Sequence, residues 1–386
     1  MADQEFRGIA DRSSPPLRIL HVHSTFTLGG KEARAVRLMN AWGADASHVV
    51  LSGVPGALAA RDAIDPGIAV EFPADHPPLT GSPSLRRYRA LAAYMRGFDL
   101  VLTYNWGAMD AVMARRSFAG PALIHHEDGF NDDETDGQKT ARVLFRRVAL
   151  PAAAAVVVPS ERLEAIALGV WRQPAARVRR IANGIPLDRF GQAAARNAIP
   201  GFARRPGEVV IGTVAGLRAV KNLPLLVRAF AASGGAGRLV IVGEGPERAA
   251  IAATAAACAV ADRVVMPGFL ADPAGYLGLF DIFALSSDSE QFPISLIEAM
   301  AAGLPVVATD VGDIAAMVAT ANRPLTAPAG DEAALAASLR RLIADGELRQ
   351  ELGNANAAKA REAFAEEAMI AAYRALYWGA AGRMRG

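Results

Sequence analysis

The sequence predicts two doubly wound α/β domains in tandem. From Leu17 onward, short apolar or β-branched runs alternate with longer helix-like stretches, the pattern of parallel βαβ units. This series gives way near residue 190 to an Ala-, Arg-, Gly- and Pro-rich stretch without period, and a second alternating series begins at Val209. The length, 386 residues, suits two or three domains. In such sheets ligands sit beyond the C-terminal ends of the strands, and two facing sheets make a cleft.

Taken in order, residues 1–16 (MADQEFRGIADRSSPP) are polar and lack the apolar core of a signal peptide, so a flexible tail is expected. Residues 17–190 form the first domain, with strands expected at Leu17–Val22, His48–Leu51, Ile68–Phe72, Leu100–Thr103, Ala122–His125 and Ala155–Val158. Residues 191–207 are expected to link the domains. Residues 208–363 form the second, with strands at Val209–Val214, Arg238–Val242, Val264–Met266, Ile282–Leu285 and Val306–Ala308. Residues 364–386 hold a last helix with Met369, Tyr373 and Leu376 on one face.

Composition excludes several classes. Apolar residues make up 52% of the chain and charged residues 21%, as in an ordinary globular protein. The net charge of +2 gives no overall bias toward nucleic acid. A single cysteine, Cys258, rules out a disulfide framework and a cysteine zinc site and fits a reducing cytoplasm. The longest apolar candidate, Val148 to Pro159, is too short to span a bilayer.

The densest chemistry lies in Ser286–Asp313, SSDSEQFPISLIEAMAAGLPVVATDVGD. Pro293 suits a first helical position, Ile294, Ile297, Met300 and Ala301 recur at helical spacing, and Gly303 with Pro305 end the helix. Phe292 cannot cap the helix start, which leaves the N–H groups of Ile294 and Ser295 to an anion such as a phosphate. Glu290 and Glu298 stand eight residues apart; along a helix that is about 12 Å. A retaining glycosidase pair is ~5–5.5 Å apart, so the two carboxylates are expected to grip different parts of one ligand.

Glu290, seven residues, Glu298 and then AMAAGLPVVAT resemble the E-x7-E signature of retaining GT-B glycosyltransferases of family four. The resemblance implies two Rossmann-like doubly wound domains facing across a cleft, and a last helix that crosses back to the first domain. It implies transfer of a sugar from a nucleotide-diphosphate sugar to an acceptor hydroxyl with retention, with no metal and no cofactor beyond that donor. Cell-surface glycan or polysaccharide synthesis is the expected setting. Glu298 would bond the ribose, and Glu290 the transferred sugar.

Other segments join the resemblance. Gly29-Gly30 follows the first strand and opens a helix, where paired glycines let a backbone approach a donor diphosphate. Lys221 stands at a helix start, a poor place for a cation unless an anion sits there too. The family has an Arg five residues before this Lys; position 216 is Gly, and Arg218 is the nearest substitute. At the end of the Ala122 strand the family places a His before a glycine. Here Asp128 precedes Gly129, and His126 and Asp128 are the candidates for facing the sugar.

Two acidic segments, Asn131–Asp136 and Asp288-Ser-Glu290, imitate the D-x-D of metal-dependent GT-A enzymes, but the doubled βαβ order argues against that fold and no metal is assigned. Lys139, Arg142, Arg146 and Arg147 flank Val143, Leu144 and Phe145 in a helical stretch, which suits either a peripheral contact with anionic lipid or a solvated basic face. The acceptor is expected to be a glycan or a lipid-linked glycan. A non-catalytic partner subunit, or an epimerase or phosphorylase on the same architecture, stays open as an alternative.

Overall fold

The computed structural model describes residues 15–27, 29–130, 134, 137–192, 194–234 and 237–383. Contacts divide the chain into two compact units. One runs to Ile181 and takes in the residues from Ile370 onward; the other runs from Ala182 to Met369.

The first unit is built in the order β1 (Leu17–His23), α1 (Gly30–Trp42), β2 (Ala46–Ser52), β3 (Val70–Glu71), α2 (Leu85–Met95), β4 (Leu100–Tyr104), α3 (Met109–Ser117), β5 (Ala122–His126), α4 (Thr140–Ala149), β6 (Ala155–Val158), α5 (Glu161–Gly169) and β7 (Val178–Arg180). Its strands pair in parallel in the order β3-β2-β1-β4-β5-β6-β7, so the winding reverses between β1 and β4. Every residue of β4 and β6 is buried, which is why Leu100–Leu102 and the whole of β6 are continuous apolar runs rather than alternating ones. Ser84 and Ser160 start α2 and α5 by accepting the N–H of Arg87 (3.3 Å) and Leu163 (3.1 Å).

The second unit follows as β8 (Val209–Val214), α6 (Leu223–Ala232), β9 (Gly237–Val242), α7 (Arg248–Ala257), β10 (Val264–Gly268), β11 (Ile282–Leu285), α8 (Ile294–Ala301), β12 (Val306–Thr309), α9 (Ile314–Met317), β13 (Thr326–Ala327), α10 (Glu332–Ala344) and α11 (Gly346–Ala363). Its parallel sheet has the order β10-β9-β8-β11-β12-β13. Successive strand residues feed opposite faces: Val210, Val240, Phe283 and Val306 join one core, and Ile211, Ile241, Ala284 and Val307 the other. A last helix, α12 (Glu366–Ala380), begins in this unit and from Ile370 belongs to the first. Among the described residues no helix is long and apolar enough to cross a membrane.

Several expectations are corrected. The segment 191–207 is not a free linker: the unit boundary falls at Ile181, and Ile185, Ile199 and Phe202 are buried in the second unit's core. β7 and β13 were not expected. They are edge strands of three and two residues, and two arginines of β7 point to solvent, so neither carries an apolar signal. Pro293 caps α8 from outside instead of occupying its first turn. Residues 1–14 of the expected tail lie outside the described residues, as do five of the six residues of the acidic run 131–136.

The exit of α8 is fastened by buried amides. Asn356 on α11 donates to the Leu304 carbonyl (2.9 Å) and to Asn322 Oδ1 (2.9 Å), while Asn322 brackets Val306 through both its N–H (2.9 Å) and its carbonyl (2.7 Å). Gly353, also on α11, lies so close that a Cβ would stand 2.1 Å from the Gly303 carbonyl oxygen. Gly353→Ala is therefore expected to cost about 1–3 kcal/mol of stability through overpacking. Urea denaturation checks this, and an unchanged midpoint contradicts the packing described.

Candidate functional site

In the second unit the ends of β8 and β11 are joined by polar side chains. After β8 the chain runs through Ala215–Leu217, where Ala215 N–H donates to the Val242 carbonyl (3.0 Å) and Leu217 N–H to that of Glu244 (2.9 Å). The turn after β9 allows this approach because a Cβ at Gly243 would lie 1.9 Å from the Ala215 oxygen, and one at Gly245 2.4 Å from that of Leu217. Gly243 and Gly245 thus have a structural reason to be there.

A single 3-10 turn, Ala219–Lys221, then ends at Asn222 in the left-handed conformation (φ 43°). Ser286 Oγ lies 3.0 Å from both the Lys221 and the Asn222 carbonyls. Asn222 Nδ2 donates to Asp288 Oδ1 (2.9 Å), and Asp288 N–H to the Val220 carbonyl (2.9 Å). Asp288, half of the D-x-D look-alike, is therefore part of a turn that holds Lys221 in place.

That tie brings Lys221 to Glu290. Lys221 Nζ donates to Glu290 Oε1 at 2.5 Å, and Ser287 Oγ donates to the same oxygen at 2.8 Å. The Lys221 side chain is 16% exposed and that of Glu290 9%, so the pair is mostly shielded yet reachable from solvent. Thr309 Oγ1 donates to the Ser287 carbonyl (2.6 Å). The loop after β12 closes on Glu290 at Gly312 (φ 63°), where a Cβ would stand 2.3 Å from the Glu290 carbonyl oxygen.

Three residues beyond Glu290 comes Pro293, and α8 starts with no side chain bonded to its first turn. Ile294 and Ser295 carry the leading N–H groups, and both are half-buried. Glu298 lies one turn further along α8, also half-buried; burial, and then the charge of Glu298, hold the Tyr276 phenol well above its ordinary value. Arg218 is exposed. Position 216 has room for a side chain, since a Cβ there would meet only Arg218 Nε, at 3.9 Å. The second unit thus assembles a cation, two carboxylates and an uncapped helix start of eight residues beyond the ends of adjacent strands.

The first unit treats its predicted residues differently. Gly29 caps α1 with no side-chain bond, and the carboxylate of buried Glu32 folds back beside it, paired with Lys31. Gly30 has open space around it. Asp128 is held by a bidentate ion pair with the buried guanidinium of Arg34 on α1, one bond being 2.8 Å. Its N–H donates to Asn105 Oδ1 (2.8 Å). Burial opposes the Arg34 charge, but Asp128, together with Tyr373 and Tyr377, favours it, and that pKa stands well above the ordinary value.

The expectation that His126 faces the sugar is corrected. Its ring is fully buried, Nδ1 lies 3.2 Å from the Thr103 carbonyl and Nε2 2.6 Å from the Tyr377 hydroxyl on α12, so neither nitrogen is left for a ligand. His125 is likewise buried, against Thr103 Oγ1 at 3.0 Å. Two arginines expected on a lipid-facing helix also turn inward. Arg146 is fully buried among the rings of Trp106, Phe130 and Trp171 and donates to Glu127 Oε2 (3.2 Å), and Arg142 pairs with Glu134 (2.9 Å). Glu134, from the acidic run, is thereby a buried counter-ion.

Sequence reasoning missed Arg34, Glu32, Asn222, Ser286, Ser287, Thr309 and Gly312. Ser286, Ser287, Thr309 and Gly312 lie inside the stretch already singled out, and Glu32 and Asn222 beside other motifs, but none carries a pattern of its own.

Known proteins match both halves of the chain. Residues 28–189 match the family model for glycosyltransferase family 4, and residues 196–359 that for glycosyl transferases group 1. N-acetyl-alpha-D-glucosaminyl L-malate synthase of Bacillus anthracis is 29% identical over 173 residues, 44% of this chain and 45% of that protein. The alignment thus spans less than half of that relative. Among solved structures, sucrose-phosphate synthase from Thermosynechococcus elongatus superposes with a TM-score of 0.76 at 23% identity, over 94% of this chain and 98% of its own. Anabaena HepE in complex with UDP gives 0.76 at 20% identity, over 93% and 99%. At these identities the structural likeness establishes the fold.

The first unit's buried histidines make it acid-labile. Burial, with neighbouring charges, lowers the pKa of His21, His23 and His126 well below the ordinary value, and burial lowers that of His48 to about 4. Below about pH 6.5 the unfolded chain takes up protons that the folded chain refuses, so stability present above that pH is lost as the pH falls toward 4. All four tryptophans (Trp42, Trp106, Trp171 and Trp378) belong to this unit. The urea midpoint seen by tryptophan fluorescence is expected to hold steady from pH 8 to 7 and to fall progressively below about pH 6.5; a flat midpoint down to pH 5 contradicts the assignment.

Proposed function

The chain is a member of the group 1 glycosyltransferases with the GT-B fold, and on that premise we propose that it moves a hexose from a nucleoside-diphosphate sugar to an acceptor hydroxyl. The observation that carries the reading is the Lys221–Glu290 pair, 2.5 Å apart, beside the uncapped start of α8. In this reading the pair is the resting form of a donor site. A diphosphate takes over the Lys221 ammonium and the N–H groups of Ile294 and Ser295, and the released Glu290 carboxylate accepts hydroxyls of the sugar. Glu298 accepts the ribose hydroxyls in charge-assisted bonds. We keep Gly29 and Gly30, at the start of α1, as proposed donor contacts on the resemblance alone.

The chemistry is charge stabilisation. When the bond from the anomeric carbon to the diphosphate breaks, its electron pair goes to the phosphate oxygen. Lys221, Arg218 and the helix N–H groups stand ready to hold that charge without reorganising. The acceptor oxygen bonds to the anomeric carbon and passes its proton to the departing diphosphate oxygen. Asp128 is paired with Arg34 and is our candidate for contact with the sugar or acceptor, whereas His126 acts from behind by fixing the strand end. We propose retention of anomeric configuration, turnover without a metal, and a glycan or lipid-linked glycan as acceptor, in cell-surface polysaccharide synthesis at the cytoplasmic side of a membrane. HepE was solved with UDP, which makes uridine the first base to test.

Gly216 favours one other reading, a partner subunit that keeps the fold without turnover, because the family's Arg is absent. Arg218 decides between them. If it replaces that Arg, then Arg218→Ala lowers kcat, and Gly216→Arg, for which there is room, restores it in the double variant. If the wild-type chain turns over no sugar nucleotide yet binds a diphosphate, the subunit reading stands.

The principal test combines calorimetric binding of uridine, guanosine and adenosine diphosphates with transfer assays on the corresponding sugar nucleotides. Lys221→Ala is expected to lower kcat by about a hundredfold or more, the scale of removing one preorganised donor, with little change in melting temperature. The wild-type rate is expected to survive EDTA, and product NMR to show the donor's anomeric configuration. Wild-type rates in Lys221→Ala and Glu290→Ala would sink the donor assignment.

A further inference from the structure

On one face of the first unit α2 packs on α3 and α3 on α4. Together these helices carry eight arginines, three in α2, two in α3 and three in α4, against one carboxylate, Asp110. The whole chain has a net charge of only +2, so this layer concentrates positive charge.

Half of these arginines face inward. Arg87 pairs with Asp110 (2.7 Å), Arg115 donates to the Pro121 carbonyl (2.9 Å), and Arg142 and Arg146 serve Glu134 and Glu127. Arg86, Arg89 and Arg116 are exposed and have no ion-pair partner among the described residues. The eighth, Arg147, donates to the Val170 carbonyl (2.8 Å) and so fastens the end of α5 alongside α4.

That bond gathers apolar surface. Leu144 and Val148, one turn apart on α4, are 61% and 48% exposed; Leu168 and Val170 at the end of α5 are 39% and 38% exposed. With Leu85 at the start of α2, they are five of the seven exposed large apolar residues among those described. Neighbouring helices stand about 8–10 Å apart, so the cations and apolar groups spread over roughly 20 Å rather than lining one groove.

We propose that this face, α2 through the end of α5, docks on an anionic lipid surface. The apolar side chains enter the headgroup boundary, while Arg86, Arg89 and Arg116 meet lipid phosphates. Breadth and charge sign both favour a planar anionic surface over a protein partner, whose interface centre would be depleted of charge. The idea deepens the acceptor half of the proposed function, by putting the enzyme where a lipid-linked acceptor is, and does not rest on the donor assignments.

The test is sedimentation of the full chain with vesicles of phosphatidylcholine alone or mixed with phosphatidylglycerol, at low and high salt. Binding is expected only to the mixed vesicles and to weaken with salt. Each exposed cation near such a surface changes partitioning about fivefold, so Arg86→Gln, Arg89→Gln and Arg116→Gln together are expected to weaken it about a hundredfold. Leu144→Asp with Val148→Asp is expected to abolish it. Both variants should melt like the wild type and keep its nucleoside-diphosphate binding, because they alter exposed positions away from the donor residues. Equal binding to neutral vesicles, no binding to either, or variants that bind like the wild type overturn the proposal. So does a self-associated chain in sedimentation velocity that the Leu144→Asp, Val148→Asp variant makes monomeric. Vesicle binding without nucleotide binding would leave this inference standing and remove the donor reading alone.

Discussion

The second unit depends on the tie between the end of β8 and the end of β11. Ser286 reaches the carbonyls of Lys221 and Asn222, and Asn222 returns a bond to Asp288. Without it Lys221 would be a long, mobile side chain on a loop. With it, the ammonium is fixed beside Glu290, and one small volume holds a cation, a carboxylate and the free end of a helix. Each of these alone is common on protein surfaces; here the fold brings them together, and our donor proposal rests on that.

The first unit depends on buried polarity. His21 Nδ1 lies 3.1 Å from the Tyr104 hydroxyl and Nε2 3.0 Å from His48, and Tyr377 closes on His126. A core of this kind is stable only while its rings stay neutral, because a buried charge without a partner costs more than any of these bonds returns. The same economy explains Arg146 and Arg34. Each is buried, and each is matched to a carboxylate: Glu127 for one and Asp128 for the other. The segment Glu127-Asp128 is gripped from two helices, α4 and α1, which leaves the strand end rigid.

Charge is therefore sorted by depth. On α2 to α4, Arg87, Arg142 and Arg146 meet carboxylates and turn inward, whereas Arg86, Arg89 and Arg116 meet none among the described residues and are exposed. Arg146 and Arg147 are neighbours on α4 that point about 100° apart, so one is sealed under three aromatic rings and the other holds the rim of an exposed patch.

Much of the protein was legible in its sequence. Eleven strand positions followed from apolar or β-branched runs, because a parallel sheet covered on both faces buries both sides of its strands, as in β4 and β6. The loop and helix around Glu290 and Glu298 were legible for a similar reason: Glu290, Glu298, Gly303 and Pro305 lie within one short segment, where local spacing governs geometry. Only the tertiary structure decided that residues 182–207 belong to the second unit, since Ile199 and Phe202 are unremarkable until a core receives them. Only it turned His126 from a candidate ligand into a buried brace, because Tyr377 arrives from 251 residues away. The pairing of Asp128 with Arg34, 94 residues apart, was equally beyond local reading. A sequence carries the periodicity and chemistry of a segment; which partner satisfies a buried polar atom depends on contacts between distant segments, and those exist only once the chain has folded.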